Sequence, residues 1–398
     1  MIRHLLKLVW NRKRSNALLL LEIFCSFLVV FGVATSALFV WSNYRRPLGF
    51  EWKDVWSVSI DTKVVGDDAW TPQQNELIER LIAEARSVPG VVGAAGIDNT
   101  PFGFETNNAG WTSDGKRLRS EAVDATLEVP TVLGLQVAAG RLFEPADNAA
   151  PWRAVVINRA LARARFGADD PLGKRLRERD PSEPEERVVG VVDEFRRGGE
   201  LALPGNLFLR LTRPGQPSDR SGRRILVRVE PGATVAIEER LVRRLQAVAP
   251  DWSFEVQPLS RLRASAFRLW ITPVAVGAIV AFFLLSMVAL GLLGVLWQNL
   301  LRRTGEMGLR RATGASALDV QRQVLLEQAL LTTLGVLLGL ALVLQLPLFG
   351  WIGWIGKPVF AGGVLLAIVA LYALTLLCSF YPSLMARRME PAEALRYE

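Results

Sequence analysis

Apolar residues gather along the chain into four long runs, 17–41, 270–297, 324–349 and 360–381. Each reaches the roughly 20 residues a helix needs to cross the hydrocarbon core of a bilayer, so the pattern predicts four transmembrane helices. Between the first and second runs lies a polar block, 42–269, in which hydrophobicity changes its period instead of disappearing.

From Val55, "VWSVSI" alternates with a period of two, as a half-buried strand does. In the next segment, "TPQQNELIERLIAEARSV", Thr71, Pro72 and Gln74 have the spacing of a capping box, and Leu77, Leu81 and Ala85 share one helical face. "GVVGAAGID" supplies another strand. Near the far end of the block the series repeats as "RRILVRVE", "TVAIEERLVRRLQAV" with Ile237, Leu241, Leu245 and Val248 in line, and "SFEVQPL". These two β-α-β units, 55–110 and 222–260, are expected to build one α+β subdomain. Between them, 111–204 is short-stranded and turn-rich, and reads as a β-rich subdomain with one short helix, farthest from the membrane. "RERDPSEPEER" and "TRPGQPSDRSGRR" read as loops. The expected fold class is an α-helical membrane protein with four spans and a large α+β extracytoplasmic domain.

Charge sets the topology. The formal net charge is +8, concentrated beside the spans. The amphipathic segment 1–16 carries Arg3, Lys7, Arg12, Lys13 and Arg14 and no acid; the loop 298–323 carries Arg302, Arg303, Arg310 and Arg311; the tail 382–398 carries Arg387 and Arg388. The positive-inside bias therefore places both termini and that loop in the cytoplasm and the polar block outside. A basic excess so placed serves topology and anionic lipids, and nucleic acid is not an expected partner. "ATSA" at Ala34–Ala37 imitates a signal-peptide cleavage site, but the apolar run continues past it to Trp41, as a retained span does. Cys25 and Cys378 both fall inside spans and read as packing residues.

The outer block lacks the groups of nucleophilic and metal chemistry. The chain's one histidine is His4, and no cysteine lies outside the spans. A Ser-His-Asp triad, a zinc site and a thiol protease are excluded there, and no catalytic or metal-ligating residues are expected. "GADDPLGK", Gly167 to Lys174, imitates a phosphate loop, but five residues separate the glycines, Pro171 removes a donor and Arg175 replaces the required hydroxyl. It reads as a turn after a short helix. Within the spans, Glu22 and Glu327 are carboxylates in apolar surroundings. Glu22 has two readings, a structural one at the inner interface and a proton-coupling one. Gly335 and Gly339, in "GVLLG", are small residues suited to close helix packing, as are Gly291 and Gly294.

"RRTGEMGLRRATGAS", 302–316, is a polar interruption between the second and third spans. Its residues Glu306, Met307 and Leu309 give a short helix one polar and one apolar side, and Gly314 suits the helix end. Together with "VLLEQALLTTLGVLLG", "GLQVAAGRLFEPAD" and "AVVINRALARARFGADDPLGKRL" leading to "RVVGVVDEF", this segment resembles the MacB-like (type VII) ABC transporter permease family, with its periplasmic core domain and FtsX-like permease domain. Met307 stands where isoleucine is usual in that family, and Thr313 where a larger aliphatic residue is common.

The resemblance implies that the chain is a non-catalytic permease subunit of the bacterial inner membrane. Such a subunit relays motion driven by a cytoplasmic ATPase dimer to its periplasmic domain, for export of a drug, peptide or similar compound. The coupling helix would comprise Arg303, Glu306, Met307, Leu309, Arg310, Arg311, Gly314, Ala315 and Ser316. ATP and Mg would sit on the separate ATPase, and this chain would bind no cofactor. Further implied partners are a second copy or a related permease, membrane lipids and, in the exporter branch, a periplasmic adaptor and an outer-membrane channel. The alternatives are a lipoprotein-extracting permease and an FtsX-like regulator of a cell-wall hydrolase.

Overall fold

The computed structural model describes residues 13–62, 71–113, 116–177, 184–202, 205–213, 224–302, 316–350, 352 and 355–388. The chain divides into two compact units, one containing Tyr44–Trp270 and the other the segments on either side of it.

The outer unit is organised by one ten-stranded sheet, in the order β10-β1-β9-β2-β4-β8-β6-β7-β5, with β3 added beside β4. Its first half comprises β1 (Val55–Asp61), α2 (Pro72–Ser87), β2 (Val91–Ile97), β9 (Arg224–Val229), α5 (Val235–Val248) and β10 (Ser253–Pro258). β9 lies antiparallel between β1 and β2, and β10 pairs antiparallel with β1. Each β-α-β unit therefore straddles a strand of the other, the split arrangement of a ferredoxin-like layer. Thr71 caps α2 in a full capping box with Gln74. The amphipathic faces of α2 and α5 cover one side of the sheet, where Leu81, Ile82, Leu241 and Leu245 meet Trp56, Val58, Ile225 and Val227. Alternation sends the intervening Val55, Ala95, Ile97 and Leu226 into a second core on the opposite face. Both faces are buried, and each large side chain withdrawn from water contributes roughly 1.5–3 kcal/mol.

The second half comprises β3 (Asn108–Ser113), β4 (Lys116–Ala125), α3 (Val129–Val132), β5 (Val137–Gly140), β6 (Arg153–Asn158), α4 (Arg159–Phe166), β7 (Glu186–Val192) and β8 (Leu207–Leu211). β6 and β7 run parallel, joined through α4, while β8 lies antiparallel to β6 and parallel to β4. β8 lies beyond the expected boundary at 204, because its apolar run fills the gap between β4 and β6 instead of ending the subdomain. Gly167 caps the C-terminus of α4 with a φ of 64°, so "GADDPLGK" forms the turn after that helix.

The two halves share one sheet through a single paired position, Ile97 opposite Ala125. Charged side chains gather beside it. Arg210 grips both oxygens of Asp124, at 2.5 and 2.8 Å, and lies 3.6 Å from Glu186, which Arg177 also holds. Asp98, just after β2, is buried and accepts hydrogen bonds from the backbone N–H of Asn99 at 2.6 Å and from its Nδ2 at 3.2 Å. Burial, reinforced by the charge of Asp124, pushes the Asp98 pKa up to about 7, against the opposing effects of these hydrogen bonds and of Arg197.

The second unit contains α1 (Lys13–Tyr44), α7 (Ala317–Val343), α8 (Gln345–Leu348) and α9 (Lys357–Arg388), together with most of α6 (Leu259–Arg302). Four of these helices are long and apolar enough to cross a membrane, with candidate spans Leu19–Tyr44, Leu259–Gly291, Leu325–Leu348 and Lys357–Phe380. α6 is longer than the 270–297 run: it starts directly after β10 and continues without a break for 44 residues, through Pro273.

Candidate coupling segment and membrane-helix contacts

The expected coupling segment is bounded by two membrane helices, the end of α6 at Arg302 and the start of α7 at Ala317. Arg303, Glu306, Met307, Leu309, Arg310, Arg311, Gly314 and Ala315 lie outside the described residues. Ser316 is described and is exposed, immediately before α7.

Inside the spans, glycines define where α1 sits. A methyl group at Gly335 of α7 would come 2.7 Å from Ile23 Cγ2, and one at Gly339 would overlap the ring of Phe27. On α9, a side chain at Gly363 would collide with Thr35, and one at Gly362 would come 2.9 Å from Leu38. α1 thus lies against α7 and α9 at distances that only glycine permits. Phe27, Ile23, Val336, Ala367 and Leu371 fill the core between the three helices, and Phe31 meets Phe360 edge-on at 5.5 Å.

Glu22 is half-buried, and its carboxylate faces α6: a Cβ built on Gly291 would lie 3.0 Å from Glu22 Oε2. Glu327 is half-buried within α7, ten residues after its start at Ala317. The two carboxylates therefore stand on different helices, and Gly291 of α6 leaves the space that the first of them occupies.

A polar seam between α7 and α9 has no counterpart in the sequence reading. Thr332 Oγ1 donates to Thr375 Oγ1 at 3.0 Å, both buried, and Thr333 Oγ1 lies 2.7 Å from Tyr372 Oη. Thr375 donates its own proton back to the Leu371 carbonyl, while the Gln328 carbonyl, 3.0 Å from Thr332 Oγ1, can only share the single Thr332 proton in a bifurcated bond. Threonines inside spans are visible in a sequence, but their pairing across helices is not. No group of three or more His, Cys, Asp or Glu converges as metal ligands among the described residues.

Comparison with known proteins agrees with this architecture. Residues 26–245 match the MacB-like periplasmic core domain, and residues 278–391 match the FtsX-like permease C-terminal domain. The chain belongs to the MacB-like ABC permeases. The first match runs from α1 into α5, and the second covers most of α6 with α7, α8 and α9. A macrolide export ATP-binding/permease protein, MacB, of Bordetella avium (strain 197N) is 26% identical over 306 residues, which cover 72% of this permease and 45% of that protein. The ABC transporter permease YknZ of Bacillus subtilis (strain 168) is 24% identical over 297 residues, 71% of this permease and 72% of the relative. This MacB-like permease thus spans under half the length of the first relative. The crystal structure of the periplasmic region of MacB from Actinobacillus actinomycetemcomitans matches over 54% of this chain and 92% of that one, at 13% identity and a TM-score of 0.37.

Proposed function

We propose that this permease relays motion, driven by ATP binding and hydrolysis on a cytoplasmic ATPase dimer, across the bacterial inner membrane to its outer unit, in the service of export. The observation that carries the reading is α6. One unbroken helix starts directly after β10, an edge strand of the outer sheet, and ends at Arg302, where "RRTGEMGLRRATGAS" takes over. A helix without a break passes a push on one end to the other as a rigid-body shift. Docking of the ATPase on 303–316, cytoplasmic placement of both termini and pairing with a second permease follow from the same reading. The MacB relative from Bordetella avium is by name a macrolide exporter, and the cargo proposed here is a drug, peptide or similar compound. A periplasmic adaptor and an outer-membrane channel belong to this proposal as its exporter branch.

The test is Glu306→Lys in the complex reconstituted with its ATPase. The variant is expected to assemble in the membrane and to lose substrate-stimulated ATP hydrolysis; retained stimulation would count against the reading. In cells, deletion is expected to sensitise growth to an exported compound without blocking division. Filamentous cells of normal tolerance would instead favour an FtsX-like regulator of a wall hydrolase.

A further inference from the structure

The outer unit contains a cavity of about 660 Å3, within the size range of small-ligand sites. One wall is aromatic. Phe102 and Phe195 are buried, whereas Phe104 and Trp270 are 63% and 47% exposed. Phe102 is held at a φ of 64°, a left-handed conformation that is costly for a bulky residue, and its ring packs 5.5 Å from Phe50. Pro47, just past the end of α1, and Trp270, within α6, also line the cavity, so its wall includes residues adjoining two membrane helices in sequence.

The charges of the cavity do not cancel. Arg197 is almost wholly buried; it pairs with Glu121 and donates to the carbonyls of Thr100, Gly103 and Glu105. Arg159 pairs with Asp193. Arg196 donates to the Glu200 carbonyl at 2.5 Å, and burial, which lowers its pKa, is opposed by the charges of Glu194 and Glu200. Of the cavity's three carboxylates, Glu121 and Asp193 are each paired with an arginine, whereas Glu194 feels the charge of Arg196 and its buried Oε2 has no hydrogen-bond partner among the described residues. The fourth arginine of the lining, Arg163 on α4, is exposed and has no side-chain partner among the described residues. Arg46 adds further positive charge near Arg196.

We propose that this cavity binds an amphipathic monoanion, its apolar body against Phe102, Phe104 and Trp270 and its carboxylate or phosphate on Arg163. Four arginines, Arg159, Arg163, Arg196 and Arg197, stand against three carboxylates in the lining, and this excess of one positive charge disfavours a cationic amphiphile. A ligand seated in the cavity would partly withdraw its ion pair with Arg163 from water, and such a pair is screened less than a fully exposed one. The site stands independently of how the permease couples to its ATPase.

The test is calorimetric titration of the full chain in phosphatidylcholine nanodiscs, with empty discs as the blank, using octanoate, octanol and octylammonium. Octanoate is expected to bind about tenfold more tightly than octanol, with octylammonium weakest. Arg163→Gln should bring octanoate down to the level of octanol, Arg163→Lys should retain most of the preference, and Phe104→Ala should weaken both ligands alike. Equal binding of octanoate and octanol, no binding of octanoate, or an unchanged preference in Arg163→Gln would each overturn the proposal. Repeating the titration in phosphatidylglycerol discs separates two sources of the same chemistry. Competition there assigns the site to an anionic lipid headgroup, and unchanged octanoate binding assigns it to a free amphiphile.

Discussion

Asp98 shows what one residue contributes at the junction of the two half-sheets. Its folded pKa of about 7 lies above the ordinary value of 3.8 because the ionised form is buried beside Asp124. Between those two values the folded state holds a proton that the unfolded state has released, so stability falls as pH rises through this window. Below about pH 4 both states are protonated and the contribution is fully present; above about 7 it is lost. Asp98→Asn removes the dependence. The variant is expected to be more stable than the parent at pH 8, by on the order of a few kcal/mol, with the difference shrinking toward pH 4. Urea unfolding of the purified chain at several pH values checks this, and a difference that does not vary with pH would contradict it. Nothing in the sequence marks Asp98 apart from other acids, because its environment is made by β4 and by Arg197, which are distant in the chain.

At the scale of elements, the glycines of α7 and α9 set the position of α1. Gly339→Ala would place a methyl group in the Phe27 ring. It is expected to destabilise the membrane unit by about 1–3 kcal/mol, the usual cost of overpacking. Phe27→Leu in the same chain should restore part of the loss, measured by thermal unfolding in detergent; an additive double variant would show that the two residues do not share one contact. Thr332→Val, which removes the bond to Thr375, should cost about 1 kcal/mol or less in the same assay. Gly335 and Gly339 were legible as small residues at helical spacing. That their neighbour is α1 was not, because one helix's spacing does not name its partner. Gly362 and Gly363, which approach α1 equally closely, passed unnoticed among the many glycines of membrane helices.

At the scale of the whole molecule, hydropathy alone located four spans and an outer block, since long apolar runs and period-two strands are local patterns. The bracketing β-α-β units were legible for the same reason: Leu241 and Leu245 share a helical face whatever they pack against. The continuous sheet was not legible, because its halves pair at one ladder position, Ile97 opposite Ala125, and β8 joins from beyond the expected boundary. The cavity around Arg163 was hidden too, since its walls come from strands, helices and loops far apart in sequence.

The central claim is that the segment between α6 and α7 receives an ATPase. The measurement that tests it most directly is photo-cross-linking from an amino acid placed at Glu306 in native membranes, with the captured protein identified by mass spectrometry. The account predicts an ABC ATPase covalently joined at that position, and none from a control position at Trp111 in the outer unit. An efficient cross-link at Glu306 to lipid or to other proteins, with no ATPase captured, would contradict it.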